Sequence, residues 1–226
     1  MAQVYPQQEF KNLSRFVMYA LEPGGSGKKS SLRWSIYGTN PRITINTNNE
    51  ADKNVNYGMI NAGMDPVTFF LLLDLLEKIA KDDTKPNKMK LDCLTTSKTD
   101  DGGRTQPFLN SEVWIGKDDE GICWISVVAK DRPKIKFNFT MSDYHKLHKA
   151  TGGPFTESEI SCMLAIATAN ALKEIYIRAD MCGVVITSAS KEKRDTSLST
   201  GDKTKSSGDS KKSNYNDFED MNDIAM

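Results

Sequence analysis

Between Thr187 and Ser213 the chain places twelve Ser or Thr residues among 27, with no aromatic residue and one leucine, Leu198. A segment so poor in apolar surface cannot offset the entropy of ordering its backbone, about 1–2 kcal/mol per residue. It reads as a disordered polar linker rich in Ser, Thr and Lys. Any packed core has to come from residues 1–186, a length that suits one domain. Beyond the linker, residues 214–226 read NYNDFEDMNDIAM, with four carboxylates (Asp217, Glu219, Asp220, Asp223) set among Phe218, Met221, Ile224 and Met226. This tip cannot bury its own apolar groups, so it reads as a hook for another protein.

Charge follows the same division. The formal net charge is zero, but the linker carries seven basic and four acidic groups, the tip four acidic and no basic ones, and residues 1–186 are close to neutral. The balance as a whole points to neither nucleic acid nor membrane. No stretch approaches the roughly 18 apolar residues of a membrane span. The start, MAQVYPQQEF, has neither the basic nor the apolar region of a signal peptide, so the expected compartment is the cytoplasm and no membrane partner is expected. Cys93, Cys123, Cys162 and Cys182 form no CxxC pair and sit among apolar neighbours, which predicts buried reduced thiols.

Residues 11–21 (KNLSRFVMYAL) suit a strand that ends at the glycine-rich EPGGSGKKSS. LRWSIY follows with Leu32, Trp34 and Ile36 on one face and Arg33, Ser35 and Tyr37 on the other. ITIN repeats that alternation through Ile43 and Ile45 against Arg42, Thr44 and Asn46, and the Asn- and Gly-rich residues 48–63 suit a long mobile connection. Asp65 as N-cap, Pro66 in the first turn and Phe69, Leu72, Leu73, Leu76 and Ile79 at helical spacing predict a helix. KMKLDCL and a β-meander (VWIG, ICWISVVA, KIKFNF) come next, the last strand turning Ile135, Phe137 and Phe139 one way and Lys134, Lys136 and Asn138 the other. A second helix opens with the capping box Thr156 to Glu159 and is expected to bury Ile160, Met163, Leu164, Ala167, Ala171 and Ile175. The class is α+β: two halves, each a curled antiparallel sheet followed by a helix, without sequence repetition.

Catalytic chemistry finds little support. GGSGKKS lacks the glycine four residues before its GK pair, has Lys29 ahead of Ser30 and leads into a strand, so a phosphate-binding loop is not expected. His145 and His148 are two ligands with no nearby cysteine, too few for a structural metal site. No serine or cysteine has a local base, and the acidic pairs Asp82–Asp83, Asp100–Asp101 and Asp118–Asp119 fall in turns or at helix ends. A non-enzyme without cofactor or metal is expected.

Single-stranded nucleic acid needs cations along a backbone track and aromatic faces for its bases, worth about 1–3 kcal/mol per stacked base. Arg33 with Tyr37, Arg42, Lys88 with Lys90, Trp114, and the run Lys130, Arg132, Lys134 and Lys136 are the candidates, on strand faces opposite the apolar side chains. Polar outer faces and edge lysines are also ordinary features of half-exposed sheets. Trp34 and Trp124 lie among apolar neighbours and read as core, while Trp114, beside Glu112 and Gly116, suits a stacking platform or the core equally.

Domain, flexible linker and acidic tip together resemble the plan of single-stranded DNA-binding proteins of bacterial and bacteriophage replication, whose terminal peptide recruits replication and repair proteins. The residues carrying the resemblance are DFEDMNDI, Asp217 to Ile224, and they cover only the end of the chain. The bacterial pattern finishes in a proline and an aromatic residue, whereas this chain finishes in Ile224-Ala225-Met226, which fits a phage-encoded relative with its own partners in the host cytoplasm. The resemblance implies a protein that coats single-stranded DNA in replication, recombination and repair. Its partner-binding residues would be Asp217, Phe218, Glu219, Asp220, Met221, Asp223 and Ile224, recruiting a polymerase, helicase or primase. It also implies a tip able to compete with DNA for a basic face; a homo-oligomer is compatible with it. The two sheet-then-helix halves resemble the PC4 and Whirly group of single-strand binders, with the OB-fold β-barrel as the rival architecture. The functional rivals are a protein-binding adaptor or transcription regulator, and a single-strand annealing recombination protein.

Overall fold

A computed structural model describes residues 16–181 apart from 24–26, 38–39, 83–85 and 101. The linker, the tip, Cys182 and the first fifteen residues lie outside the described residues, as do the expectations placed on them.

The described chain is α+β. Its first sheet is an antiparallel meander of β1 (Met18–Pro23), β2 (Lys29–Tyr37), β3 (Asn40–Asn46) and β4 (Met59–Gly63), in that spatial order. Helix α1 (Pro66–Lys81) follows, then a second meander of β5 (Asn87–Thr95), β6 (Phe108–Lys117), β7 (Cys123–Val128) and β8 (Phe137–Asn138), and finally helix α2 (Glu157–Met181). Two sequence expectations need correction here. The connection after β3 is not a loop throughout: it forms two 3-10 turns, Glu50–Asp52 and Asn56–Gly58, and then β4, where Ile60 and Ala62 point inward. The run expected to form a six-residue last strand pairs only at Phe137 and Asn138, although Phe137 and Phe139 are buried as expected.

Alternation builds the inner faces. Leu32 and Trp34, Ile43 and Ile45, and Ile60 and Ala62 turn from the first sheet into the core; Val113 and Ile115, Ile125 and Val127, and Phe137 turn in from the second. Both helices cover these faces, and α1 reaches β3 as well as β5 and β6. Asp65 caps α1 by accepting from the Thr68 N–H at 3.0 Å, and Phe69, Leu72, Leu73, Leu76 and Ile79 are buried, at about 1.5–3 kcal/mol for each large apolar side chain. Lys117 is buried too. Its ammonium donates to the Ala80 carbonyl at 3.1 Å and to that of Asp82, closing orphan acceptors at the C-terminus of α1.

The capping box of α2 forms as expected, the Glu159 carboxylate accepting from the Thr156 N–H at 2.8 Å and the Thr156 hydroxyl accepting from the Glu159 N–H at 3.1 Å. The buried stripe of α2 differs from the expected one. Ser161, Ala165, Ala169, Leu172, Tyr176 and Ala179 face the core, while Met163 is 39 % exposed and Ala167 lies on the surface. Small side chains let α2 approach β7, where the Ser161 hydroxyl accepts from the Cys123 N–H at 2.9 Å. The segment Glu157–Ala179, with mean hydropathy 1.3, is long and apolar enough to cross a membrane, contrary to the sequence expectation, and 28 % of that apolar window is buried in the fold.

The halves are joined at side chains as well. The Asn110 amide and Ser111 hydroxyl on β6 both donate to the Asn61 carbonyl on β4, at 3.1 and 2.9 Å. Arg132 makes the other joint. Its guanidinium grips the Asp52 carboxylate through two N–H groups, one at 2.7 Å, and donates to the Met59 carbonyl at 3.2 Å, while the Thr47 hydroxyl donates to Asp52 at 2.6 Å. Asp52 is held below its ordinary carboxylate range first by the bond from Arg132, against the opposing effect of burial, and then by Thr47.

Candidate nucleic-acid interface

The strand register fixes what the second sheet shows to solvent. With Val113, Ile115, Cys123, Ile125 and Val127 turned inward, Glu112, Trp114 and Gly116 of β6 and Trp124 and Ser126 of β7 face the other way. β5 adds Lys88 opposite Gly116, Lys90 opposite Trp114 and Asp92 opposite Glu112, and Asn138 of β8 lies opposite Trp124. Both indoles are half-buried.

Trp114 is oriented by its own strand: its indole N–H donates to Glu112 at 2.9 Å. The ammonium groups of Lys88 and Lys90 both lie 5.8 Å from the Trp114 ring centroid, within the range of a cation–π contact. Trp124 is the face's second indole, which corrects the expectation that it belongs to the core. Its six-membered ring lies against Gly116, where an added Cβ would stand 2.8 Å from Trp124 Cζ2 and 2.8 Å from the Asn87 carbonyl. Gly116 is required by this close approach. Lys136 places its ammonium 5.6 Å from the Trp124 ring. Because Gly116 follows Trp114 by two positions and opposes Trp124, the two indoles are diagonal neighbours on one face.

The face is not strongly basic. Lys90 is paired with Asp92 at 2.9 Å and Glu112 at 3.1 Å, and Lys136 with Asp118 at 2.6 Å. Lys90 is pushed above its ordinary value by Asp92 and then Glu112, and Glu112 is held below its ordinary value by the Trp114 N–H and then Lys90. Burial opposes the ionisation of Asp118, but the Lys136 bond and the Ile122 N–H outweigh it and keep that carboxyl low. Two lysines, Lys90 and Lys136, are thus met by three carboxylates. Lys130 and Lys134, both exposed, add charge without an ion-pair partner among the described residues.

No family model, no curated protein and no solved structure matches the chain.

The other predicted site residues separate. Arg132 is withdrawn from any surface role, because its side chain is only 9 % exposed and committed to Asp52. Arg33 and Arg42 do share the outer face of the first sheet, where Arg33 opposes Thr44 and Arg42 opposes Ser35. Arg33 is exposed and Arg42 half-buried. Tyr37 pairs with Asn40 at the end of β2, but its side chain lies outside the described residues. Trp124 was the residue that sequence reasoning missed. The signal was present, since ICWISVV alternates and, once Cys123, Ile125 and Val127 are inward, Trp124 must be outward.

A cleft of about 420 Å³ opens beside this face. Ala20, Leu21 and Glu22 of β1 line one side, Pro133, Lys134, Ile135, Lys136 and Asn138 another, and Ser30, Thr47 and Asn49 complete it. Here β1 and β8, each paired on one side only, come close without pairing to each other.

Proposed function

We propose that the chain is a non-enzymatic single-stranded DNA-binding protein that uses the outer face of its second sheet as the platform. The observation that carries this reading is the pair of neighbouring indoles, Trp114 and Trp124, with the ammonium groups of Lys88, Lys90 and Lys136 within 6 Å of their ring centroids. Bases stack on the indole sides, Lys88 meets phosphate directly, and Lys90 and Lys136 exchange their carboxylate partners for phosphates. That exchange keeps binding modest at physiological salt, and the counterions released from the phosphates make it weaken as salt rises. Lys130 and Lys134 extend the track.

On this reading the protein coats single strands in replication, recombination or repair, and the acidic residues Asp217 to Ile224 recruit a polymerase, helicase or primase. A bacteriophage source and action in the host cytoplasm belong to the same proposal. So does the finer fold assignment: four strands and a helix, twice over, suit a PC4- or Whirly-like domain better than a single closed OB barrel.

Fluorescence titration with oligo-dT at two salt concentrations tests the reading, using the whole chain and a version ending at Ser213. Tryptophan quenching that weakens with salt, and tightens when the tip is removed, supports it. No quenching by either version moves the assignment to a protein-binding adaptor, in which the tip is the whole function. Accelerated pairing of complementary strands would instead identify an annealing protein.

A further inference from the structure

We propose that the cleft between β1 and the Pro133–Asn138 segment is a pocket for one nucleotide, the base seated between Leu21 and Ile135 and the phosphate held by Lys134. The inference rests on the single-strand reading and adds a second kind of contact to it: one base leaves the stacked path and enters the fold.

Three features point to this ligand. The volume, about 420 Å³, lies in the range of small-molecule sites, and the walls combine apolar side chains, Ala20, Leu21 and Ile135, with convergent polar ones. A flat heteroaromatic ring bearing an anionic group matches that mixture. Second, the cleft is continuous with the indole face. Lys136 and Asn138 line the cleft, while Lys136 also lies over Trp124 and Asn138 opposes Trp124 in register. A strand stacked on Trp124 therefore meets the cleft mouth at its next step.

The third feature is Asn138 itself. Its Oδ1 is buried and has no hydrogen-bond partner, an arrangement that leaves the desolvation of this acceptor uncompensated. The amide lines the cleft, and the last side-chain torsion of asparagine is soft, so a small rotation offers this acceptor to an occupant. The exocyclic amine of cytosine, adenine or guanine, or the N3–H of thymine, supplies the missing donor. Lys134, exposed and without an ion-pair partner among the described residues, meets the phosphate without first giving up a carboxylate.

The same chemistry comes from a strand or from a free nucleotide, and the test separates them. Anisotropy titration of the full chain with labelled dC12, together with equilibrium dialysis against deoxycytidine monophosphate, is repeated for Leu21→Trp and Lys134→Glu. Leu21 is 58 % exposed, so a larger side chain there fills the cleft without entering the core. About tenfold weaker dC12 binding in both variants is expected, and a smaller loss, about threefold, in Asn138→Ala. If wild type also retains the free nucleotide and Leu21→Trp does not, free nucleotides share the pocket; if only dC12 responds, the source is the strand. Binding of dC12 by both variants within twofold of wild type overturns the pocket while leaving the indole platform standing. If wild type binds neither ligand, the pocket and the single-strand reading fail together.

Discussion

The two sheets have the same strand order and the same relation to a following helix, yet they present different chemistry to solvent. The middle of the first sheet's outer face is made of Ser35, Thr44 and Asn61 with Arg33 and Arg42, and there the Thr44 hydroxyl satisfies the Asn61 side chain at 2.7 Å. The second sheet places two indoles and three lysines in the equivalent layer, over a glycine that lets one indole lie down on the sheet. Repeating an architecture costs only matched inner faces. The outer faces are then free to diverge, and here one carries short polar side chains with two arginines while the other carries two indoles with three lysines.

The sharpest way to break this comparison is at the joint between the halves. Asp52→Ala leaves the Arg132 guanidinium buried without its counter-ion, and a loss of about 3–5 kcal/mol is expected in urea unfolding. A loss below about 1 kcal/mol would mean that Arg132 finds water, and that the halves are less tightly joined than the geometry indicates. The sign with pH follows from the lowered Asp52 value. Its contribution is complete above the ordinary 3.8 and is lost as pH falls through the lower folded-state value, so wild type should lose stability there and Asp52→Ala should not lose this component.

Removing the platform comes next in size. Trp114→Ala and Trp124→Ala should each weaken oligo-dT binding by about 1–3 kcal/mol, with little change in salt dependence. Gly116→Ala should weaken binding by a similar amount without removing any indole, because the added Cβ displaces the Trp124 ring; near-ultraviolet circular dichroism would report that displacement. Smaller effects belong to charge. Lys134→Ala and Lys136→Ala should each reduce the salt slope by about 1. Glu112→Gln should strengthen binding a few-fold at low salt, since it frees Lys90 from one carboxylate while keeping an acceptor for the Trp114 N–H.

Local signals carried far in the sequence. The Asp65 cap, the Thr156–Glu159 box and the alternation of β2 and β3 were readable because each depends on residues within a few positions. What failed was non-local. Arg132 looked like one cation in a basic run, and only the fold brings it to Asp52, 80 positions away. The buried stripe of α2 was misplaced because Ile160, Met163, Leu164 and Ile175 compete with it in hydrophobicity, while close packing selected Ser161, Ala165 and Ala169, which a hydrophobic pattern ranks low. Trp124 illustrates a conflict between two local rules, apolar company and strand period, and the period decided. Nothing in the sequence announced that β1 and β8 would converge to form a cleft.

The central claim is that single strands meet the second sheet rather than the first. The most direct measurement is the oligo-dT affinity of the double variant Trp114→Ala/Trp124→Ala beside that of Arg33→Ala/Arg42→Ala, both in the full chain at one low salt concentration. The account expects the first to bind at least about thirtyfold more weakly than wild type and the second to stay within about threefold. Unchanged affinity in the tryptophan variant, with loss in the arginine variant, would contradict it and move the platform to the first sheet.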